Sequence, residues 1–190
     1  MKNEFITVVS GLPRSGTSMM MKMLEAGGLP VLTDNIRTPD ENNPKGYYEF
    51  EKVKELDEDK EWLSEARGKA VKIVSALLFH LPDDYTYKII FMLRKFEEIL
   101  ASQKQMLLNL GKNTEDVSDE VLLQVFNKHL LKTQNWLTQQ PNMEVLYIHY
   151  NEILKDPPKA VKEIENFLGL DLEYKKMIEV VDHSLHRQRI

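Results

Sequence analysis

The residues best suited to chemistry stand in one short passage, Gly11-Leu12-Pro13-Arg14-Ser15-Gly16-Thr17-Ser18. Its glycines let the backbone wrap closely round a ligand, and a helix starting at Thr17 aims unpaired N–H groups at an anion. Arg14 adds a cation, and the helix dipole favours negative charge at that end by up to about 2 kcal/mol in partly buried sites. The passage therefore reads as a cradle for a phosphate-like group. It departs from the pattern G-x-x-x-x-G-K-[ST], which puts lysine where this chain has Thr17. Nor does an apolar strand run into an aspartate placed for Mg²⁺, which a kinase or other NTP-binding protein would need. A second cation, Arg94, closes the apolar run Ile89–Leu93, and Ser102 follows eight residues later. Ligands of open α/β sheets collect at the carboxyl ends of strands, where a guanidinium can clamp a phosphate through paired hydrogen bonds. The alternative for Arg94 is an ion pair with Glu97 or Glu98.

These groups converge only if strands and helices alternate, and the sequence pattern predicts that they do. Phe5–Val9 is a nearly continuous apolar run, as expected of a strand covered on both faces. A helix over about Thr17–Ala26 follows, stopped by Gly27 and Gly28. Val31 and Leu32 suggest a short strand, and Thr33–Tyr48 an irregular loop. A charged helix is expected over Glu51–Arg67, strands over Ala70–Ser75, Tyr87–Leu93 and Val145–His149, and helices near Phe96–Leu110, Asp119–Leu137 and Pro158–Leu168. In the Asp119 helix, Leu122, Val125, Phe126, His129, Leu130, Thr133 and Trp136 recur at helical spacing, which predicts one buried face with His129 as a core or edge histidine. The sum is an α/β fold with a central parallel sheet flanked by helices, one domain over residues 1–190.

Composition narrows the partners. A net charge of −5 argues against a general nucleic-acid or anionic-membrane binder while leaving room for a local basic pocket. There is no cysteine, so disulfides and thiolate chemistry are excluded. No apolar stretch approaches the roughly 20 residues of a membrane span, and the polar start Met1–Phe5 lacks a signal-peptide layout, which reads as cytoplasmic.

Pro13-Arg14-Ser15-Gly16-Thr17-Ser18, placed after an apolar strand, resembles the 5′-phosphosulfate-binding loop of sulfotransferases that use 3′-phosphoadenosine 5′-phosphosulfate (PAPS). The spacing of Arg94 and Ser102 is similar to that family's 3′-phosphate-binding arginine and serine. Val145–Leu154 with Asp156-Pro157, and the segment Ile164–Leu170 (IENFLGL), resemble later family segments in the right order. The likeness covers about Ile6–Leu170. It implies a P-loop nucleoside-phosphate-binding fold and transfer of a sulfuryl group from PAPS to a hydroxyl or amine of an acceptor. The product would be 3′-phosphoadenosine 5′-phosphate (PAP), and no metal would be required. The acceptor class stays open among small molecules, carbohydrates and peptides. A nucleotide kinase or other NTP-binding protein, or a catalytically idle relative, is the competing reading.

The resemblance also suggests catalytic residues. Arg14 would stabilise charge on the transferring group. Cytosolic members carry Lys-x-His on a central strand, and the corresponding stretch here is Lys72-Ile73-Val74, so Lys72 stays a candidate and the histidine is absent. Gly11–Arg37 aligns without gaps to tyrosylprotein sulfotransferases, where a glutamate base lies just past the helix. That makes Asp34 the first candidate base, with Asn35 as the neighbouring register and Arg37 beside it. Glu49 is the second candidate, and Tyr47 and Tyr48 are candidates to line an acceptor pocket. A late basic segment often covers the 3′-phosphate in this family, which points to Arg187 and Arg189; a solvated terminus is the alternative.

Overall fold

The apolar run at the start forms β1, Ile6–Gly11, and all six of its residues are buried. That burial follows from its place in the sheet, whose order is β2-β3-β1-β4-β5. In the computed structural model, which describes residues 4–34, 36–43, 46–111, 118–182 and 184, the remaining strands are β2 (Val31–Leu32), β3 (Ala70–Lys72), β4 (Tyr87–Leu93) and β5 (Met143–His149). Each pairing is parallel: Thr7 lies beside Ala70, Ile6 beside Tyr87, and Tyr87 beside Met143. The chain crosses over β1 between β3 and β4, so the crevice for a ligand opens at the carboxyl ends of these strands.

Six α-helices among the described residues cover the sheet. They are α1 (Thr17–Ala26), α2 (Phe96–Asn109), α3 (Asp119–Leu137), α4 (Tyr150–Lys155), α5 (Pro157–Leu168) and α6 (Tyr174–Glu179). On one face α1, α4, α5 and α6 pack through Met20, Met23, Leu24, Ile153, Val161, Ile164 and Met177. On the other, Leu56, Trp62, Leu63, Leu78 and Leu137 close against Ile6, Val8, Ile89 and Phe91. The start of α5 follows from sequence: the Asp156 side chain accepts from the Lys159 N–H, and Pro157 occupies the first turn.

Three expectations are corrected. The charged helix over 51–67 is two 3-10 segments, Glu51–Glu55 and Glu61–Ala66. Apolar residues at a spacing of three, Val53 with Leu56 and Leu63 with Ala66, favour the tighter turn. Asp59 interrupts the run, accepting from the Glu61 N–H at 2.9 Å. The strand at Ala70 ends at Lys72, and another 3-10 segment covers Ser75–His80. Finally, α3 buries only Thr133 and Leu137, and Val125 is 55% exposed. Its helical period is right, but it rests on the body mainly through its second half, where Trp136 meets Phe79. His129 sits at that edge, 2.8 Å from the Ser75 hydroxyl.

The 3-10 segment at Glu61–Ala66 should be an integral part of the core. Leu63→Ala is expected to lower unfolding stability by about 2–5 kcal/mol in urea titration, whereas a peripheral segment would give under about 1 kcal/mol.

Candidate functional site

The loop between β1 and α1 is tightly held. A Cβ on Gly11 would stand 2.5 Å from Ser15 Oγ and 2.6 Å from the Met92 carbonyl, so the turn lies flat on β4. Gly16 has φ 99°, and a Cβ there would meet the Tyr150 ring at 2.5 Å. Arg14 also adopts a left-handed backbone, φ 72°. Gly16 caps α1 without a side-chain hydrogen bond, so the first-turn N–H groups are left for a ligand. Pro13, Arg14, Gly16, Thr17 and Ser18 line a cavity of about 540 Å³. Ser15 does not; its side chain is buried inside the turn.

Arg94 and Ser102 stand beside Arg14 at this cavity. Arg14 Nε donates to Ser102 Oγ at 2.9 Å, and its Nη2 donates to the Asn42 carbonyl at 2.9 Å. Arg94 follows β4 directly and donates from Nη1 to the Arg14 carbonyl at 3.1 Å. Its Nε donates to Glu98 at 2.8 Å, so the ion pair considered from the sequence is present. Its guanidinium also lies 4.5 Å over the Tyr150 ring. All three residues line the cavity. Burial lowers the Arg14 pKa, opposed by Tyr47 and reinforced by Arg94 and Arg37, the mark of a crowded cationic site.

Opposite the loop runs a strap that includes residues 36–43 and 46–49, and here the two candidate bases part. Asp34 does not line the cavity. Its carboxylate accepts from the Ile36 N–H at 3.0 Å and the Glu51 N–H at 2.5 Å, which anchors both ends of the strap. Glu49 does line the cavity, with Arg37 at 3.0 Å and Lys72 at 3.5 Å from its Oε1. Lys72 also donates to the Tyr47 carbonyl, and burial, opposed by Glu49, pushes its pKa down to about 8. Tyr47 faces the cavity, stacked under Arg37 at 3.4 Å, while its hydroxyl is fixed by Asp40 at 2.6 Å. Tyr48 turns away to donate to Glu25 at 2.6 Å. Asn35, Arg187 and Arg189 lie outside the described residues.

The sequence did not single out Asn42 and Asn43, which help to join loop to strap. Ser18 Oγ donates to the Tyr47 carbonyl at 3.3 Å and accepts from Asn43 Nδ2 at 3.0 Å. Asn42 and Asn43 stand in an irregular stretch with no periodicity, and a backbone carbonyl leaves no trace in residue type. Across the cavity, Arg14, Lys22, Arg37, Lys54, Lys72 and Arg94 face Glu41, Glu49 and Asp182. Six cations against three carboxylates, in a chain of net charge −5, make this a locally basic site for an anion.

A family model for the sulfotransferase domain matches residues 6–188. The chain belongs to the sulfotransferase family. Among solved structures, the domain is similar to a mouse sulfotransferase complexed with PAP, at 22% identity and TM-score 0.58, over 93% of this chain and 61% of that one. A retinol dehydratase in complex with androsterone and PAP gives 18% identity and TM-score 0.52, over 93% and 63%. The sulfotransferase domain from the curacin biosynthetic pathway gives 15% and 0.56, over 96% and 79%. At these identities the likeness is one of fold. The chain spans just over three fifths of the first two proteins. A search of curated protein sequences finds no match. Among the described residues no group of His, Asp and Glu is arranged to hold a metal, and no helix is long and apolar enough to cross a membrane.

The loop geometry makes a specific demand at Gly16. Gly16→Ala should cost more than about 1 kcal/mol in urea titration, because both the left-handed φ and the Tyr150 ring oppose a Cβ. Measured in a Tyr150→Ser background, the cost of Gly16→Ala should shrink only in part, since the backbone strain remains. A cost that vanishes in that background would place the whole effect in the ring contact.

Proposed function

We propose that the chain transfers a sulfuryl group from PAPS to a hydroxyl or amine of an acceptor, with Glu49 as the general base. The observation that carries this reading is the position of Glu49. It is a carboxylate of the strap that reaches the same cavity as the anion-binding loop, fastened between Arg37 and Lys72. Asp34, the first choice from sequence, has its carboxylate bonded to two backbone N–H groups and holds the strap in place instead. The cavity residues fit the donor: a cradle that a Cβ at Gly16 would fill, uncapped N–H groups at α1 and a surplus of cations.

When bound, PAPS supplies the sulfuryl group and leaves as PAP. The N–H groups of Thr17 and Ser18, with Arg14, would hold the 5′-phosphosulfate and stabilise charge as it develops on the departing phosphate; removing one such donor typically costs about 10²–10³ in rate. Arg94 and Ser102 would hold the 3′-phosphate. Lys72 would face the transferring group. Glu49 would take the proton from the acceptor O–H as its oxygen bonds to sulfur and the sulfur–oxygen bond to the phosphate breaks. A positioned base contributes about 10²–10⁴-fold.

Two measurements test these roles. Glu49→Gln should lower kcat by about 10²–10⁴, followed as PAP formed from PAPS across a phenol, sugar and peptide acceptor panel, with PAP affinity retained. Asp34→Asn should lower the melting temperature and leave the kcat of the folded protein near wild type; the reverse pattern would return the base to Asp34. Lys72 gives a pH signature. It is cationic below pH about 8 and neutral above it, and a bound anion favours the cation. PAP affinity should therefore fall as pH rises from 7 to 9, and Lys72→Met should flatten that slope. The same depression means that burying the cation opposes folding below pH about 8, a penalty relieved as pH rises towards the ordinary 10.5.

A further inference from the structure

Among the described residues, two that are not glycine hold a left-handed backbone, Arg14 at φ 72° and Tyr48 at φ 54°. Arg14 stands in the anion loop. Tyr48 stands between Tyr47 and Glu49, both of which line the cavity, while its own side chain turns away to Glu25. Such a backbone crowds the Cβ of an L-residue and persists only where the surroundings fix it.

Here they fix it from both sides. The Tyr47 carbonyl accepts from the Ser18 hydroxyl at 3.3 Å and from the Lys72 ammonium. The Glu49 carbonyl accepts from the Thr33 hydroxyl at 2.9 Å and from the Asp34 N–H at 3.3 Å. The chain is thus pinned just before Tyr48 to α1 and β3, and just after it to the residues that follow β2. The Tyr48 ring packs on the part of the core that includes Met21 and Leu24, and its hydroxyl donates to Glu25 Oε2 in the last turn of α1 at 2.6 Å. Burial first, and then Glu25, raise the pKa of that hydroxyl, so it keeps the proton it donates. Between these fixed points, an ordinary backbone at residue 48 would turn the chain differently. It would carry the Glu49 carboxylate off its partners, Arg37 at 3.0 Å and Lys72 at 3.5 Å.

We infer that Tyr48 is a positioning residue whose left-handed backbone, held by its ring and hydroxyl, sets the Glu49 carboxylate in the cavity. It touches no reacting atom, and its share in catalysis rests on the reading of Glu49 as the general base. Glycine would adopt this turn with less strain. Tyrosine adds a side chain that anchors the turn on the side away from the cavity.

The place of Glu49 can be read without an acceptor, through Lys72. Burial lowers the Lys72 pKa to about 8, Glu49 opposes that shift, and Arg37 and Arg14 add to it. A carboxylate favours the cation beside it, so moving Glu49 away lowers this pKa further. The experiment is an NMR titration of lysine-labelled protein, with Lys72→Met to assign the resonance, in wild type, Tyr48→Ile, Tyr48→Ala and Tyr48→Asn. A left-handed backbone opposes a β-branched side chain and tolerates asparagine. In Tyr48→Ile the Lys72 titration should move to lower pH. Its kcat, followed as PAP formed from PAPS with phenol, sugar and peptide acceptors, should fall by about 10²-fold in a protein that still binds PAP. Tyr48→Ala, a milder change, should move both in the same direction by less, and Tyr48→Asn should restore both. In a Glu49→Gln background, Tyr48→Ile should add no further loss of kcat. A Lys72 titration left in place by Tyr48→Ile and Tyr48→Ala, or moved equally by Tyr48→Asn, overturns the inference. A titration that moves as expected while kcat stays at wild type leaves Tyr48 as the residue that places Glu49 and removes Glu49 as the base.

Discussion

The site depends on one hydrogen bond, from the Arg94 guanidinium to the Arg14 carbonyl. Arg14 is held at φ 72°, a left-handed backbone that costs an L-residue about 1–2 kcal/mol. That strain persists because Arg94 cannot easily move. Its side chain is 8% exposed and paired with Glu98, which is 1% exposed. Glu98 also accepts from Asn151 of α4 at 2.8 Å, and Arg94 lies over Tyr150, whose ring packs on Gly16. The end of β4 and the starts of α2 and α4 thus close on the same turn. Removing one partner of a buried pair costs about 3–5 kcal/mol, so the loop takes its shape from a network well inside the protein. The guanidinium reads both as a proposed ligand for the donor and as the brace that shapes the donor loop.

The same economy links donor and acceptor sides. The Tyr47 carbonyl accepts from Ser18 of the anion loop and from Lys72 of β3, and Arg14 reaches across to the Asn42 carbonyl. The strap that carries Glu49 is thereby fastened to the residues proposed to hold the phosphosulfate. Burial of Lys72 keeps its cation poorly solvated, which suits a group whose charge is best satisfied by an incoming anion. Cations, the first-turn N–H groups of α1 and the Glu49 carboxylate thereby line one cavity.

Much of the fold was legible in the sequence because its signals are local. The buried run at β1, the glycines of the loop, the helix at Thr17–Ala26 and the Asp156-Pro157 start of α5 each announce themselves in a few adjacent residues. Arg14 and Arg94 were legible from their places at the ends of strands, and Ser102 only through the resemblance of its spacing from Arg94 to the family's. Failures came where tertiary context decides. A charged stretch with helical composition became two 3-10 turns because Trp62 and Leu63 had to reach the sheet. The face of α3 had the right period, yet period says nothing about whether a neighbour covers Val125. Between Asp34 and Glu49 the sequence offered two carboxylates flanking one loop. Only the third dimension separates them, since one meets backbone N–H groups and the other meets the cavity.

The most direct test of the central claim, that this loop and its arginines bind a 3′-phosphorylated adenosine nucleotide, is a thermal shift comparing PAP with ATP and Mg²⁺. A ligand at about 100 times its Kd adds about 2.7 kcal/mol to the native state, which for a chain of this size raises the melting temperature by about 5–10 °C. PAP should produce that shift, and ATP with Mg²⁺ should produce little change. Stabilisation by ATP and Mg²⁺ without stabilisation by PAP would contradict the claim.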